Sequence, residues 1–109
     1  LAASTNATVV LEGGTGNDNL QGGSGTDTAV FDTSSSVVVS LAVGTAFSAL
    51  GNDTLSSIER VVTGSGSDVI YGSTAHNRVE SGAGNDSVDT GSGNDVILSG
   101  NGTNTVRGG

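Results

Sequence analysis

The sequence predicts an all-β fold in which short strands alternate with glycine-rich turns as a solenoid. Three observations predict it: a nine-residue pattern recurs along the chain, one apolar residue returns in each copy, and 19 of the 109 residues are glycine. A period of nine does not match the 3.6-residue turn of a helix, and each glycine would weaken a helix interior by about 1 kcal/mol. A fixed period with glycine-rich turns is instead typical of β-solenoids.

The repeat is clearest where GGTGNDNLQ (13–21) is followed directly by GGSGTDTAV (22–30), and we number each unit from position one to position nine. Positions one to six predict a turn, and positions seven to nine predict a short strand whose position-eight side chain points inward. The register returns in five consecutive units, which are TGSGSDVIY (63–71), GSTAHNRVE (72–80), SGAGNDSVD (81–89), TGSGNDVIL (90–98) and SGNGTNTVR (99–107). Counting the unit just before these five, position eight is always β-branched, as Val61, Ile70, Val79, Val88, Ile97 and Val106.

The chain divides into an N-terminal repeat block (1–30), an irregular β connector within the same solenoid (31–62) and a C-terminal repeat block (63–109). In the connector, VVVSLAVGTA (37–46) has large apolar residues at alternate positions, Val37, Val39, Leu41 and Val43, which predicts a half-buried strand. GNDTL (51–55) then partly repeats the unit, and Leu55 and Ile58 are candidates for the interior. We expect wider β-coils here rather than a helix.

The charge balance excludes several classes of function. The net charge is −8, with eleven acidic residues against Arg60, Arg78 and Arg107, and the chain has no lysine and no cysteine. Nucleic acids and anionic membranes require basic patches, so cations are the natural partners, and no apolar run is long enough for membrane insertion. No serine has a neighbouring histidine and acid in sequence, and no phosphate loop precedes a helix, so we expect no enzyme activity.

The unit GGTGNDNLQ matches G-G-x-G-x-D-x-U-x, where U is a large apolar residue, at every fixed position. It resembles the glycine-rich, hemolysin-type calcium-binding repeats of RTX proteins. The resemblance implies a right-handed parallel β-roll, a β-solenoid of calcium-binding nonapeptide turns. Two units make one coil there, each turn stacks on the turn two units away, and several Ca²⁺ ions lie between stacked turns.

The repeat has the chemistry that such sites need. Calcium takes six to eight oxygen ligands, and glycine lets the backbone turn tightly enough to aim carbonyl oxygens at one ion. The metal-site candidates are therefore the position-six residues and the glycines at positions two and four. The position-six candidates are Asp18, Asp27, Asp68, Asn77, Asp86, Asp95 and Asn104, and the glycine candidates are Gly14, Gly16, Gly23, Gly25, Gly64, Gly66, Gly82, Gly84, Gly91 and Gly93.

Stacking two units apart ranks these sites. Asp68 should stack on Asp86 with both glycines kept in each unit, which predicts the strongest site. Asp86 with Asn104, and Asp95 with Asn77, each lose one charge and should be weaker. The unit at 72–80, where Ala75 replaces a glycine, is expected to be a structural coil without an ion on its side.

Other positions carry expectations of their own. Asp18 and Asp27 are expected to form half-sites that the segment around Asp32 or Asp53 completes. Glu59 should be solvated or bonded to the backbone rather than a ligand, and His76 should be exposed. Position one is not glycine in four units, and these units should be strained if that position needs a positive φ. The four replacements are Thr63, Ser81, Thr90 and Ser99.

We therefore expect a calcium-binding module, disordered without Ca²⁺ and folded with it, in the extracellular space or on a bacterial cell surface. The resemblance implies a non-catalytic part of a larger protein that leaves the cell by type I secretion, with flanking domains as further partners. One alternative is a surface-layer or adhesin segment that self-associates through calcium, and another is the accessory domain of an exported enzyme. An ice-binding solenoid is less favoured because position seven lacks regular ranks of threonine.

Overall fold

The computed structural model describes residues 10–12, 16–22, 26–31, 36–48, 51–74 and 76–107. All the secondary-structure elements in these ranges are β-strands, and most neighbouring strands are parallel. The predicted all-β fold is therefore confirmed. The described ranges contain no helix of the length and apolarity needed to cross a membrane.

The strands are short, as turns that close every nine residues require. Those in the described ranges are β1 (Val10–Glu12), β2 (Asn19–Gln21), β3 (Thr28–Phe31), β4 (Val38–Ser40), β5 (Thr45–Ser48), β6 (Gly51–Ser56), β7 (Arg60–Thr63), β8 (Val69–Tyr71), β9 (Arg78–Glu80), β10 (Ser87–Asp89), β11 (Val96–Leu98) and β12 (Thr105–Arg107).

Consecutive units of the C-terminal block alternate between two sheets. One sheet has five strands in the order β1-β3-β7-β9-β11, and the other has seven in the order β12-β10-β8-β4-β5-β6-β2. Each parallel pair in this block joins residues two units apart, as in Ile70 with Val88 and Val88 with Val106. The predictions of two nonapeptides per coil and of strands at positions seven to nine are confirmed.

The connector differs from the predicted long half-buried strand. Val37 and Val39 are fully buried, but the strand ends at Ser40, whose carbonyl accepts the N–H of Gly44 at 2.8 Å. Gly44 has φ 86, so the chain reverses there and Val43 is left 77% exposed. Strands β4, β5 and β6 then run antiparallel, and this excursion replaces the expected wider coil.

The core lies between the two sheets and is built mainly from position eight. Ile97 is only partly buried, and Val106, although in register with the buried Val88, is 45% exposed. Its strand β12 is the last in its sheet and pairs only with β10 among the described residues. The inward residues that the structure confirms as buried are Leu20, Ala29, Leu55, Ile58, Val61, Ile70, Val79 and Val88.

Candidate metal centre

Position-six side chains form a ladder along the stacked turns. The backbone N–H of Asp68 donates to Oδ1 of Asp86 at 2.8 Å, and the N–H of Asp86 donates to Oδ1 of Asn104 at 2.9 Å. On the other side, the N–H of Asn77 donates to Oδ1 of Asp95 at 2.8 Å. The stacking partners expected from the repeat are therefore in contact.

The ladder continues into the irregular connector. The N–H of Asp18 donates to Oδ1 of Asp53 at 2.8 Å, so the GND triplet at 51–53 lies beside the one at 16–18. The N–H of Asp27 donates to Oε1 of Glu59 at 2.9 Å, which makes Glu59 backbone-bonded, one of the two states expected for it. Asp32, the other residue considered for completing these half-sites, lies outside the described residues.

The second carboxylate oxygen is the chemically unusual feature of these turns. Oδ2 of Asp68 and of Asp86 is buried and receives no hydrogen bond, and the same holds for Asp18 and Asp95. A buried carboxylate oxygen without a donor is strongly unfavourable, because burial removes its water and nothing replaces it. A cation or a proton at each of these atoms would remove that cost.

Where position six is asparagine, the side-chain amide is hydrogen-bonded without a cation. In Asn104, Oδ1 accepts the ladder hydrogen bond, and Nδ2 donates to the carbonyls of Ser99 at 3.0 Å and Gly100 at 3.3 Å. In Asn77, Oδ1 accepts the N–H of Ser73 at 2.9 Å, and Nδ2 contacts the Ser73 hydroxyl at 3.4 Å. Nδ2 of each asparagine donates to its own loop, whereas an aspartate would place a second carboxylate oxygen at that position.

Glycine at positions two and four allows turns to approach closely. A Cβ on Gly82 or Gly84 would overlap the carbonyl oxygens of Gly64 and Gly66 in the preceding coil. Gly64 and Gly66 do not themselves have a positive φ, and Gly14, Gly23 and Gly25 lie outside the described residues. The candidate glycines with a positive φ are Gly16, Gly82, Gly84, Gly91 and Gly93.

The electrostatics of the ladder favour an added positive charge. Burial raises the pKa of the Asp68 carboxyl, the nearby Thr63 hydroxyl and the backbone N–H of Val37 offset part of that increase, and the negative charge of Asp86 adds to it. Burial also raises the pKa of Asp53 and of Glu59, with further increases from the charges of Asp18 and Asp27 respectively. A raised pKa means that each ionised carboxylate is destabilised where it lies.

The donor set suits calcium rather than a transition metal. Among the described residues, no three His, Cys, Asp or Glu side chains come together as a metal-binding group. An ion at these turns would therefore be held by one or two carboxylates together with backbone carbonyl oxygens. That mixture of oxygen ligands is typical of calcium.

A second ladder, at position one, was not anticipated from the sequence. The hydroxyl of Thr63 donates to the carbonyl of Ser81 at 3.1 Å, and the hydroxyl of Ser81 donates to the carbonyl of Ser99 at 3.3 Å. Neither these residues nor Thr90 has a positive φ, since Ser57 is the one non-glycine residue with a positive φ in the described ranges. The expected strain at position one is therefore wrong. Ser and Thr at 18-residue spacing are the signal that could have revealed the ladder.

Position five carries a third ladder. Oδ1 of Asn85 accepts the N–H of Thr103 at 2.8 Å, and Nδ1 of His76 accepts the N–H of Asn94 at 2.8 Å. His76 is exposed, as predicted, but it also takes the role that asparagine has in the neighbouring coils.

Comparison with known proteins agrees with this geometry. The family model of the RTX calcium-binding nonapeptide repeat matches residues 10–32, 56–88 and 71–106, which together make up more than half of the chain. No curated protein matches the chain. The strands, the stacked turns and these matches lead to one conclusion: the chain belongs to the RTX calcium-binding nonapeptide repeat family and is a calcium-binding repeat module.

Proposed function

We propose that this chain is a module that folds when Ca²⁺ binds between its stacked turns, with Asp68 and Asp86 forming the strongest site. The observation that carries the proposal is the buried Oδ2 atom of each residue, which has no hydrogen-bond donor. A calcium ion would supply the missing positive charge. The carbonyl oxygens of the adjoining turns would complete the ligand set.

Coupling of folding to binding follows from the balance of charges. Asp68 and Asp86 are only 1% and 2% exposed, and the chain has a net charge of −8. In the unfolded chain these carboxylates are hydrated, whereas the fold buries them without a counter-charge. Binding of the metal to the folded state alone then adds to the stability of that state.

The setting is also part of the proposal. Extracellular calcium modules have dissociation constants of about 10⁻⁴ to 10⁻³ M, which suit the millimolar calcium outside cells. We place the module in the non-catalytic part of a larger secreted or cell-surface bacterial protein that is exported by type I secretion. The repeat blocks 1–30 and 63–109 and the connector 31–62 would form one continuous unit within it.

A calcium titration followed by circular dichroism tests the proposal. The β-structure signal of the parent chain should increase as calcium is added. Asp68→Ala should raise the calcium concentration at the midpoint. Asn104→Asp should make folding depend more strongly on calcium, because it adds a second carboxylate beside Asp86. Full β-structure in excess chelator would refute coupled folding. An unchanged midpoint and cooperativity in Asp68→Ala would refute the ranking of the sites.

A second candidate function is calcium-dependent self-association, as in a surface layer or an adhesin. The outer strands β11 and β12 expose Val96 (47%), Leu98 (46%) and Val106 (45%), and each pairs on one side only in the described part of the chain. Light scattering during the calcium titration distinguishes the two, because assembly predicts a particle size that rises with protein concentration. A role beside an exported enzyme would instead be decided by the flanking sequence.

A further inference from the structure

Two of the three arginines lie side by side on the outer face of the five-stranded sheet. Arg60 on β7 is in register with Arg78 on β9, and both are exposed. Like charges on directly opposite residues of adjacent strands destabilise a sheet. The arrangement is notable in a chain with no lysine and eleven acidic residues. A negatively charged ligand between the two would turn this repulsion into attraction.

The positive charge of this pair is only partly neutralised within the chain. Arg78 forms an ion pair with Glu80 at 3.3 Å, but the side chains are 44% and 40% exposed, and such surface pairs contribute little stability. The guanidinium of Arg60 has no hydrogen-bond or ion-pair partner among the described residues. The carboxylate of Glu59, next in sequence, is engaged with the backbone N–H of Asp27.

The surface on either side of the pair is concave. One groove of about 280 Å³ is lined by Arg60 and Arg78 with Thr28 and Glu80 among others. A second groove of about 430 Å³ is lined by the same two arginines with Glu59, His76 and Asn77 among others. The two arginines are the residues that both grooves share, so they form the ridge between them. A group bound across the ridge could continue into either groove.

We propose that Arg60 and Arg78 form a binding site for an oxyanion, such as a carboxylate or sulfate group, held by both guanidinium groups. Guanidinium donates hydrogen bonds in a planar fork that matches the oxygens of these groups. Both arginines lie outside the proposed calcium turns, at position seven on the outward face of their strands, although the second groove extends to Asn77 at position six. Calcium loading should strengthen oxyanion binding, since it reduces the negative potential of the whole molecule.

Nuclear magnetic resonance of the arginine Nε–Hε groups tests this site directly. The calcium-loaded protein, checked first for β-structure by circular dichroism, is titrated with sodium acetate and sodium sulfate against sodium chloride at constant ionic strength. The signals of Arg60 and Arg78 should shift and saturate with acetate or sulfate. Arg60→Gln and Arg78→Gln should each weaken binding by about tenfold or more, the loss of one charge-assisted hydrogen-bond pair.

Arg107→Gln is the matched control, because Arg107 lies on β12 of the other sheet and should leave the titration unchanged. Arg60→Lys keeps the charge but not the fork and should also weaken binding. Shifts that do not saturate, that are equal at Arg107, or that persist in both glutamine variants would overturn the proposal. Binding of equal strength in Arg60→Lys would overturn it too. None of these results depends on whether folding requires calcium, since the titration uses folded protein throughout.

Discussion

The backbone N–H of Asp68 donates to Oδ1 of Asp86 at 2.8 Å, and this hydrogen bond links two aspartates that are almost completely buried. Each carboxylate uses one oxygen to hold the preceding coil and leaves the other without a donor. The contact therefore holds the coils in position and also buries negative charge that is not neutralised. A cation or a proton can neutralise this charge, and the two possibilities lead to different predictions.

Asp86→Asn should weaken calcium binding and make the metal-free chain more structured. The amide keeps an oxygen for the Asp68 N–H and gains a donor for carbonyls of its own loop, as Asn104 already has. We expect the calcium affinity of this pair to fall by about tenfold or more, equivalent to about 1.4 kcal/mol. Calorimetry measures the affinity, and circular dichroism of metal-stripped protein measures the residual β-structure.

Asp89→Asn is the control for that variant, because it makes the same change of charge at position nine, on a strand rather than in a turn. It should alter the calcium affinity only slightly. If the two variants weakened binding equally, net charge rather than a specific site would control calcium binding, and the assignment of Asp86 as a ligand would be wrong.

Mild acid should stabilise the metal-free fold. The pKa values of Asp68, Asp53 and Glu59 are raised by burial, so above the ordinary values of 3.8 for Asp and 4.5 for Glu the folded chain binds more protons than the unfolded chain. The free energy of unfolding then decreases as the pH rises through the raised values, and this contribution is fully present only below the ordinary ones. A proton on Oδ2 of Asp68 would leave Oδ1 free to accept its hydrogen bond.

Circular dichroism of metal-stripped protein between pH 7.5 and pH 4 checks this prediction, and β-structure should increase as the pH falls. Calcium affinity should decrease over the same range, because protons and the metal compete for the carboxylates. Asp68→Asn should flatten part of the pH dependence. A metal-free chain that lost β-structure on acidification would contradict the assignment of these buried carboxylates as the destabilising groups.

The sequence was most informative where the period is intact. The strands at positions seven to nine and the contact between Asp68 and Asp86 both follow from a repeat of nine with two units in each coil. The connector was less predictable, because the alternation from Val37 to Val43 continues past Ser40, where the strand ends, as far as the reversal at Gly44. Alternation of apolar residues records which side of a strand is buried, but it does not say where the strand ends.

The contact between Asp18 and Asp53 is a second feature that the sequence predicts only in part. The triplet at 51–53 repeats the one at 16–18, and from the sequence the segment around Asp53 is one of two expected to complete the half-sites of Asp18 and Asp27. The route of the chain could not be predicted, because β6 pairs in parallel with β2 but is reached through the antiparallel strand β5 rather than through a second coil. The roles of Thr63 and Ser81 were hidden for a related reason, since their hydroxyl bonds exist only at the spacing between stacked coils.

Ser81→Ala should reduce stability without changing calcium affinity. Its buried hydroxyl donates to the carbonyl of Ser99, and its removal should cost about 1 kcal/mol, the usual net contribution of one hydrogen bond. Urea unfolding of the calcium-saturated protein measures the loss. Ser65→Ala, in an exposed part of a turn, is the control and should unfold like the parent. A reduced calcium affinity in Ser81→Ala with unchanged stability would show instead that position one supports the metal site.

Gly22→Ala should destabilise the fold more than Gly16→Ala, because the two glycines are required for different reasons. A Cβ on Gly22 would overlap the backbone carbonyl oxygen of Ser57 and lie 2.6 Å from Oδ2 of Asp27, whose side chain is fully buried. Overpacking of this kind costs about 1 to 3 kcal/mol, and contact with backbone places Gly22 at or above the upper end.

A Cβ on Gly16 would meet nothing within 4 Å, so its cost comes only from the positive φ of 93 and should be about 1 to 2 kcal/mol. Urea unfolding of both variants with saturating calcium measures the difference. A larger loss in Gly16→Ala would mean that backbone conformation, rather than the close approach of stacked coils, limits which residues these turns accept. Equal losses would mean that the coil at Gly22 can move away from Ser57 at little cost.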